Sequence, residues 1–148
     1  MPPSPYQGEA DFHDVFYDTA ADHIYASYAY SLVKQRNTDF VLRNIADPTT
    51  KTVISLGCGN GAFECSLSPH FQQIIGVDLS TRAIELARQR QVERGLTNLT
   101  FRVGNARTID APDQSVDAIL VISTFHHLSE DDLANLMREA YRVLRPGG

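Results

Sequence analysis

The sequence predicts an α/β domain, a parallel β-sheet covered by helices, and three observations carry that expectation. From Thr52 onward, short apolar runs alternate with stretches of helical periodicity, the pattern of parallel strands joined by right-handed crossovers. The first run, Thr52-Val53-Ile54-Ser55-Leu56, stops in glycines at alternating positions: Gly57, Gly59 and Gly61. The second run, Ile74-Ile75-Gly76-Val77, ends in Asp78, seventeen residues beyond Gly61. Glycines after a buried strand let the chain turn sharply and bring bare backbone against a ligand. An acidic residue at the tip of the next strand is placed to accept hydrogen bonds from ribose hydroxyls.

Ahead of the sheet, Phe12, Val15, Phe16, Ala20, Ile24, Tyr28 and Leu32 recur at three- and four-residue steps, which predicts one face of a helix or of two. A further helix follows Thr38, with Val41, Leu42 and Ile45 on one side and Pro48 closing it. Residues 1–48 thus read as a helical N-terminal extension or cap, and residues 49–148 as the ligand-binding domain. Tyr6, Tyr17, Tyr25, Tyr28 and Tyr30 crowd the extension. An aromatic stripe at helical spacing reads as core or interface, with a tyrosine over the ligand as the alternative.

Within the domain, Ala62 to Leu67 reads as a short helix ended by Pro69, its first amides free to face a polar ligand portion. Ser80 can cap a helix that carries Ala83, Ile84, Ala87 and Val92 inward and stops at Gly95-Leu96. A third strand fits Leu99 to Val103. Val116 to Ile122 is almost continuously apolar and reads as a fourth parallel strand covered on both faces. Ser129 with Asp132 resembles a capping box, opening a helix with Leu133, Leu136, Met137, Ala140, Tyr141 and Leu144 on one stripe until Pro146. The expected strand order is 3-2-1-4. Gly57 to Gly61, Asp78, Asn105 and Ser123 to His127 all follow strand carboxyl ends, and so converge on one crevice.

Composition narrows the function. A net charge of −5, with arginines mostly on predicted helices beside acidic residues, argues against a nucleic-acid face. The 43% hydrophobic content is that of an ordinary globular domain, no stretch approaches a membrane span, and the proline-rich start lacks a signal peptide's apolar core, so the cytoplasm is expected. Cys58 and Cys65 have no C-x-x-C spacing, so a metal site is not expected, and Cys58 reads as a buried inert thiol. The glycine loop alone leaves the ligand open. Gly57, Gly59 and Ala62 also satisfy the dinucleotide pattern G-x-G-x-x-G/A, which an NAD(P)-dependent oxidoreductase would use.

Five motifs in order remove much of that ambiguity: V-I-S-L-G-C-G-N-G at 53–61, I-I-G-V-D-L-S at 74–80, F-R-V-G-N-A at 101–106, V-D-A-I-L-V-I-S-T-F-H-H-L at 116–128, and R-V-L-R-P-G-G at 142–148. The set resembles the class I S-adenosylmethionine-dependent methyltransferases, in particular the small-molecule methyltransferases, over about two-thirds of the chain. The resemblance implies a Rossmann-like fold and S-adenosyl-L-methionine as cofactor. It implies that Gly57, Gly59 and Gly61 wrap the methionine portion, with Ser55, Cys58 and Asn60 in the same binding segment. By the same resemblance Asp78 holds the ribose, Leu79 packs on the adenine, Asn105 and Ala106 contact the adenine amino edge, and Ser123 lines the approach to the methyl group. A sulfonium carries its own activated methyl, so the protein has chiefly to orient an in-line attack.

Two positions depart from the family. Ser55 stands where an acidic residue usually faces the cofactor's ammonium, a loss worth roughly ten- to a hundredfold in affinity unless another carboxylate substitutes. On this reading Ser55→Asp tightens cofactor binding. Asn105 replaces a common acidic residue, and its amide oxygen can still accept from an amino group. His126 and His127 are the candidate general bases; the competing reading has one bonding its own loop and the other solvated. His13, His23 and His70 fit no constellation, and Asp110, Asp113 and Asp117 read as a solvated loop cluster.

Family members continue past the Pro-Gly-Gly turn into further strands and helices. The expected chain is therefore a C-terminally truncated domain whose fourth strand lies at an edge, where a homodimer could pair. The expected partner is a small-molecule acceptor, with neither nucleic acid nor membrane. A catalytically idle nucleoside-binding module is the remaining alternative.

Overall fold

A computed structural model of the protein describes residues 7–122, 124 and 128–148. Four parallel strands form one sheet in the order β3-β2-β1-β4: β1 is Thr52–Leu56, β2 Gln73–Asp78, β3 Leu99–Val103 and β4 Ala118–Val121. Side chains of β1 alternate between two packed layers. Val53 joins Phe63, Leu67, Ile74, Ile84 and Phe101 on one face, while Ile54 and Leu56 join Ile109, Val116, Leu136 and Val143 on the other. The register sets Leu56 beside Val77 and Val121, so three strands end level with one another. Their carboxyl ends form one rim.

The connecting helices follow local signals. α4 (Ala62–Leu67) starts at Gly61, and α5 (Thr81–Glu93) starts at Ser80, whose hydroxyl accepts from the Ala83 amide. α5 ends in paired bonds, Gly95 N to Val92 O and Leu96 N to Gln91 O, with Gly95 left-handed at φ 62°, as a Schellman motif requires. α6 (Glu130–Val143) opens on the capping box of Ser129 and Asp132. Arg145 to Gly148 closes as a turn with Pro146 second and Gly147 third at φ 85°.

Three expectations change, besides that for Val92 of α5, which is exposed rather than inward. The extension forms α1 (Gln7–Thr19), α2 (Ala21–Tyr25) and α3 (Tyr28–Asn44), so Thr38 lies inside a helix and Ser27 is the cap. Its hydroxyl accepts from the Tyr30 amide, and Thr38 instead donates to the Lys34 carbonyl. Phe12, Val15, Ile24, Tyr28 and Leu32 are exposed, and α1 is tied to the rim by polar contacts instead: Asp14 accepts from the Ser80 hydroxyl and the Arg82 amide, and Asp18 pairs with Arg82. Second, β4 is shorter than residues 116–122 and half-buried throughout, since among the described residues β1 is its one neighbouring strand, while Val116 makes an isolated bridge to Leu144. Third, the inward stripe of α6 is narrower than predicted. Leu136 and Val143 are buried, whereas Met137 and Tyr141 face outward.

Candidate functional site: a crevice at the strand carboxyl ends

The glycine loop is held by the tip of β2. The amides of Gly57 and Cys58 both donate to the Val77 carbonyl, at 2.8 and 3.1 Å. Asp78 Oδ2 accepts from the Gly59 amide at 2.8 Å, and Oδ1 accepts from the Ser80 amide at 2.9 Å. One carboxylate thereby fixes the distance between the loop and the start of α5. The loop's two outer faces differ. A Cβ on Gly61, at φ 70°, would lie 2.7 Å from the Phe101 ring and 2.9 Å from Ala87, so this glycine is demanded by the core. A Cβ on Gly59, at φ 54°, would collide with the Tyr17 hydroxyl across the crevice.

A cavity of about 330 Å³ opens there, of the size that takes a small ligand. Its floor is Ser55, Gly57, Cys58, Gly59 and Glu64; its far side is Asp78, Leu79, Asn105 and Ala106. The helical extension closes it with His13, Phe16, Tyr17, Tyr25, Tyr30 and Lys34, and Thr124 and Leu128 complete the wall. Asn60 and Gly61 are not part of that lining. Asn60 is buried, with its carbonyl bonded by Arg90 and its side chain accepting from the Ala62 amide. Ser123, His126 and His127 lie outside the described residues.

Burial sets the electrostatics. Glu64 is almost wholly enclosed, and desolvation pushes its carboxyl up to about 7 against the opposing hydrogen bond from the Ser55 hydroxyl at 2.7 Å. Its other oxygen, Oε2, has no hydrogen-bond partner among the described residues. Asp78 is also raised by burial, although the Ser80 and Gly59 amides pull it back. Tyr17 and Tyr25 share a hydrogen bond of 3.1 Å with parallel rings, and Tyr30 packs edge-on to Tyr25. Burial raises all three phenols above the usual range, so they stay protonated and act as donors. Burial likewise holds the Cys58 thiol protonated.

Asn105 is more committed than its sequence position implies. Its Oδ1 accepts from the Arg107 amide at 2.9 Å and from Arg107 Nη1 at 3.3 Å. A ligand amino group would have to share that oxygen. Arg107 in turn pairs with Glu9 on α1 and Asp132 on α6, linking the extension to both sides of the crevice mouth.

The methyltransferase domain family matches residues 53–148, the span that carries this sheet and crevice. The chain belongs to the class I S-adenosylmethionine-dependent methyltransferases. It is 35% identical over 96 residues to the uncharacterized methyltransferase YcgJ of Bacillus subtilis, covering 65% of this chain and 37% of that one. It is 33% identical over 105 residues to the fatty-acid O-methyltransferase of Mycolicibacterium smegmatis, covering 70% and 36%. The PH0226 protein of Pyrococcus horikoshii superposes with a TM-score of 0.76 at 28% identity, over 83% of this chain and 57% of that one. This methyltransferase domain thus spans well under half the length of its curated relatives.

Two crevice residues of the methyltransferase domain were given no role by sequence, Glu64 and His13, whereas Tyr17, Tyr25 and Tyr30 take the alternative place offered to the tyrosines, lining the ligand cavity. Glu64 did leave a signal, a lone carboxylate in the otherwise buried run Ala62-Phe63-Glu64-Cys65. His13 fitted no sequence constellation because its neighbours come from the far side of the fold. In the structure it lines the same cavity as Asp78.

Proposed function

We propose that this domain binds S-adenosylmethionine in the crevice and transfers its methyl group to a small-molecule acceptor. The observation that carries the reading is the joining of the glycine loop to Asp78 through Gly59 at the rim of a cavity of about 330 Å³. The cradle fits such a ligand, because Gly57 and Gly59 line the cavity with backbone and Asp78 and Asn105 bring polar atoms to the same wall. When bound, the cofactor supplies a methyl group on a positively charged sulfur, and in-line attack by the acceptor's lone pair leaves the neutral thioether.

The chain's own work is orientation. Gly57 and Gly59 present backbone to the methionine portion, Asp78 accepts from the ribose, Leu79 packs on the adenine, and Asn105 and Ala106 meet its amino edge. The protonated phenols of Tyr17, Tyr25 and Tyr30, with His13 and Lys34, give the roof polar points among Phe12, Phe16 and Val33, and the roof excludes water from the reacting centre. Residues 1–48 serve as this cap over a binding domain at 49–148.

The aromatic side chains of the roof support an acceptor with an apolar body, and a fatty-acid O-methyltransferase among the relatives points the same way. Nucleic acid and membrane have no part in this reading. No helix among the described residues is long and apolar enough to cross a membrane. Where the acceptor carries a proton at its nucleophile, His126 or His127 receives it, with His13 on the cavity wall as the competing base. A second copy pairs along the half-buried edge of β4.

Calorimetric titration with S-adenosylhomocysteine and with NAD tests the cofactor. Binding of the first alone is expected; binding of NAD alone would replace methyl transfer by hydride transfer. Turnover against an acceptor panel then separates the enzyme from an idle binding module, and alanine at each histidine identifies the base. Sedimentation tests the dimer.

A further inference from the structure

We propose that Glu64 supplies the carboxylate that holds the ammonium group of the cofactor's amino-acid tail, in place of the acidic side chain missing at position 55. The assignment rests on the methyltransferase reading and specifies one contact within it. Ser55 occupies the family's acidic position, and a hydroxyl cannot neutralise an ammonium. Its hydroxyl instead donates to Glu64 Oε1 at 2.7 Å. That bond holds the carboxylate beside position 55 while the backbone of Glu64 stays on the first turn of α4. The acidic group has moved along the chain, yet it is returned to the same wall of the crevice.

The remaining oxygen is the decisive one. Oε2 is buried and has no hydrogen-bond partner among the described residues, although Glu64 lines the cavity shared with Gly57 and Gly59. A buried carboxylate oxygen left unbonded is costly, and native folds keep few of them. The groups that face Glu64 do not remove the cost. Asp78 from β2 adds like charge, and the Cys58 thiol and the Tyr25 and Tyr30 phenols remain neutral. Arg90 from α5 attracts Glu64 but donates to the Asn60 carbonyl, and Lys34 lines the cavity from α3. A small cation entering the cavity is the complement that this arrangement lacks, and an α-ammonium is such a cation.

The proposal also ties binding to protons. Burial holds Glu64 at about 7 in the free protein, so part of the population is protonated near neutrality. An ammonium favours the ionised carboxylate, so binding expels a proton. Affinity for the amino-acid tail therefore falls as pH drops below about 7, approaching tenfold per unit.

The experiment titrates S-adenosylhomocysteine and 5′-methylthioadenosine, which shares the nucleoside and thioether but lacks the tail, into wild type and Glu64→Gln. Glu64→Gln is expected to weaken S-adenosylhomocysteine roughly ten- to a hundredfold and to leave methylthioadenosine within about twofold. Ser55→Asp in the Glu64→Gln background is expected to restore about tenfold. In the wild-type background Ser55→Asp does not tighten binding, reversing the expectation from sequence, because two adjacent carboxylates share a proton. Equal affinity of wild type and Glu64→Gln for S-adenosylhomocysteine overturns the assignment, as does equal weakening of both ligands, which would mark a merely structural role.

A wild-type measurement stands independently of any variant's folding. Titration in buffers of different ionisation heat should show proton release on binding S-adenosylhomocysteine near pH 6.5, and pH-independent affinity between 5.5 and 7.5 overturns the proposal. Wild type that binds neither ligand overturns the methyltransferase reading itself; wild type that binds both while Glu64→Gln is silent removes only Glu64 from it.

Discussion

The carboxylates of the loop before β4 and those of the crevice are handled in opposite ways. Asp110, Asp113 and Asp117 each face an arginine, Arg102 at 3.2 Å, Arg142 at 2.8 Å and Arg145 at 2.7 Å. Partial burial would raise Asp117, but the Thr52 amide and Arg145 outweigh it and hold the carboxyl below the usual range. At the crevice, Asp78 takes its bonds from backbone amides and Glu64 takes one from a hydroxyl, and burial wins at both. A carboxylate paired with an arginine on the surface pins a loop. A carboxylate buried with its charge uncompensated costs stability, and such a cost is tolerated where a ligand offsets it.

The largest expected effect tests that contrast at Glu64. Its folded carboxyl sits at about 7 against an ordinary value of 4.5, so its contribution to stability is fully present below 4.5 and is lost as pH rises through 7. Ligand-free Glu64→Gln should match wild type near pH 4.5 and exceed it by about 3 kcal/mol above pH 8, measured by urea unfolding. Saturating S-adenosylhomocysteine should restore most of the wild-type stability at high pH. Next comes Asp78→Asn, whose single side-chain oxygen replaces two acceptors and leaves either the Gly59 or the Ser80 amide facing an NH2 group. Cofactor affinity should fall by about 2 kcal/mol in calorimetry.

On the loop side the sign reverses. Asp117→Ala leaves the Thr52 amide without its acceptor and should cost about 1 kcal/mol at neutral pH. Because the Asp117 carboxyl is lowered on folding, that difference should vanish as acid protonates it, and cofactor affinity should not change. Smallest of all is Asp110→Ala. Its carboxylate is almost fully solvated, and no measurable change in melting temperature is expected.

How much was legible follows from range. The first three strands, the Ser80 cap, the Gly95 stop and the Ser129 capping box depend on residues within a few positions of one another, and each is found where its motif stands. The glycine loop and Asp78 were legible for the same reason, as two strand ends a fixed distance apart. The break between α2 and α3 was misplaced because Thr38 and Ser27 are both plausible caps, and packing decides between them. The inward face of the extension was misread because exposed aromatics on α1 and α3 keep the same periodicity as a core stripe.

The sequence by itself determined the alternation of strand and helix, the strand order, and a nucleoside-type loop with its acidic partner, since these depend on hydrophobic period and local turn chemistry. Tertiary structure alone decided which charges are compensated. Whether Glu64 points at Ser55 or at an arginine, whether Tyr17 closes over Gly59, and whether Asn105 is already bonded to Arg107 depend on side chains that meet only after the layers pack. Burial is a property of the whole fold, and burial is what turns an ordinary glutamate at residue 64 into an acidic group waiting for a cation.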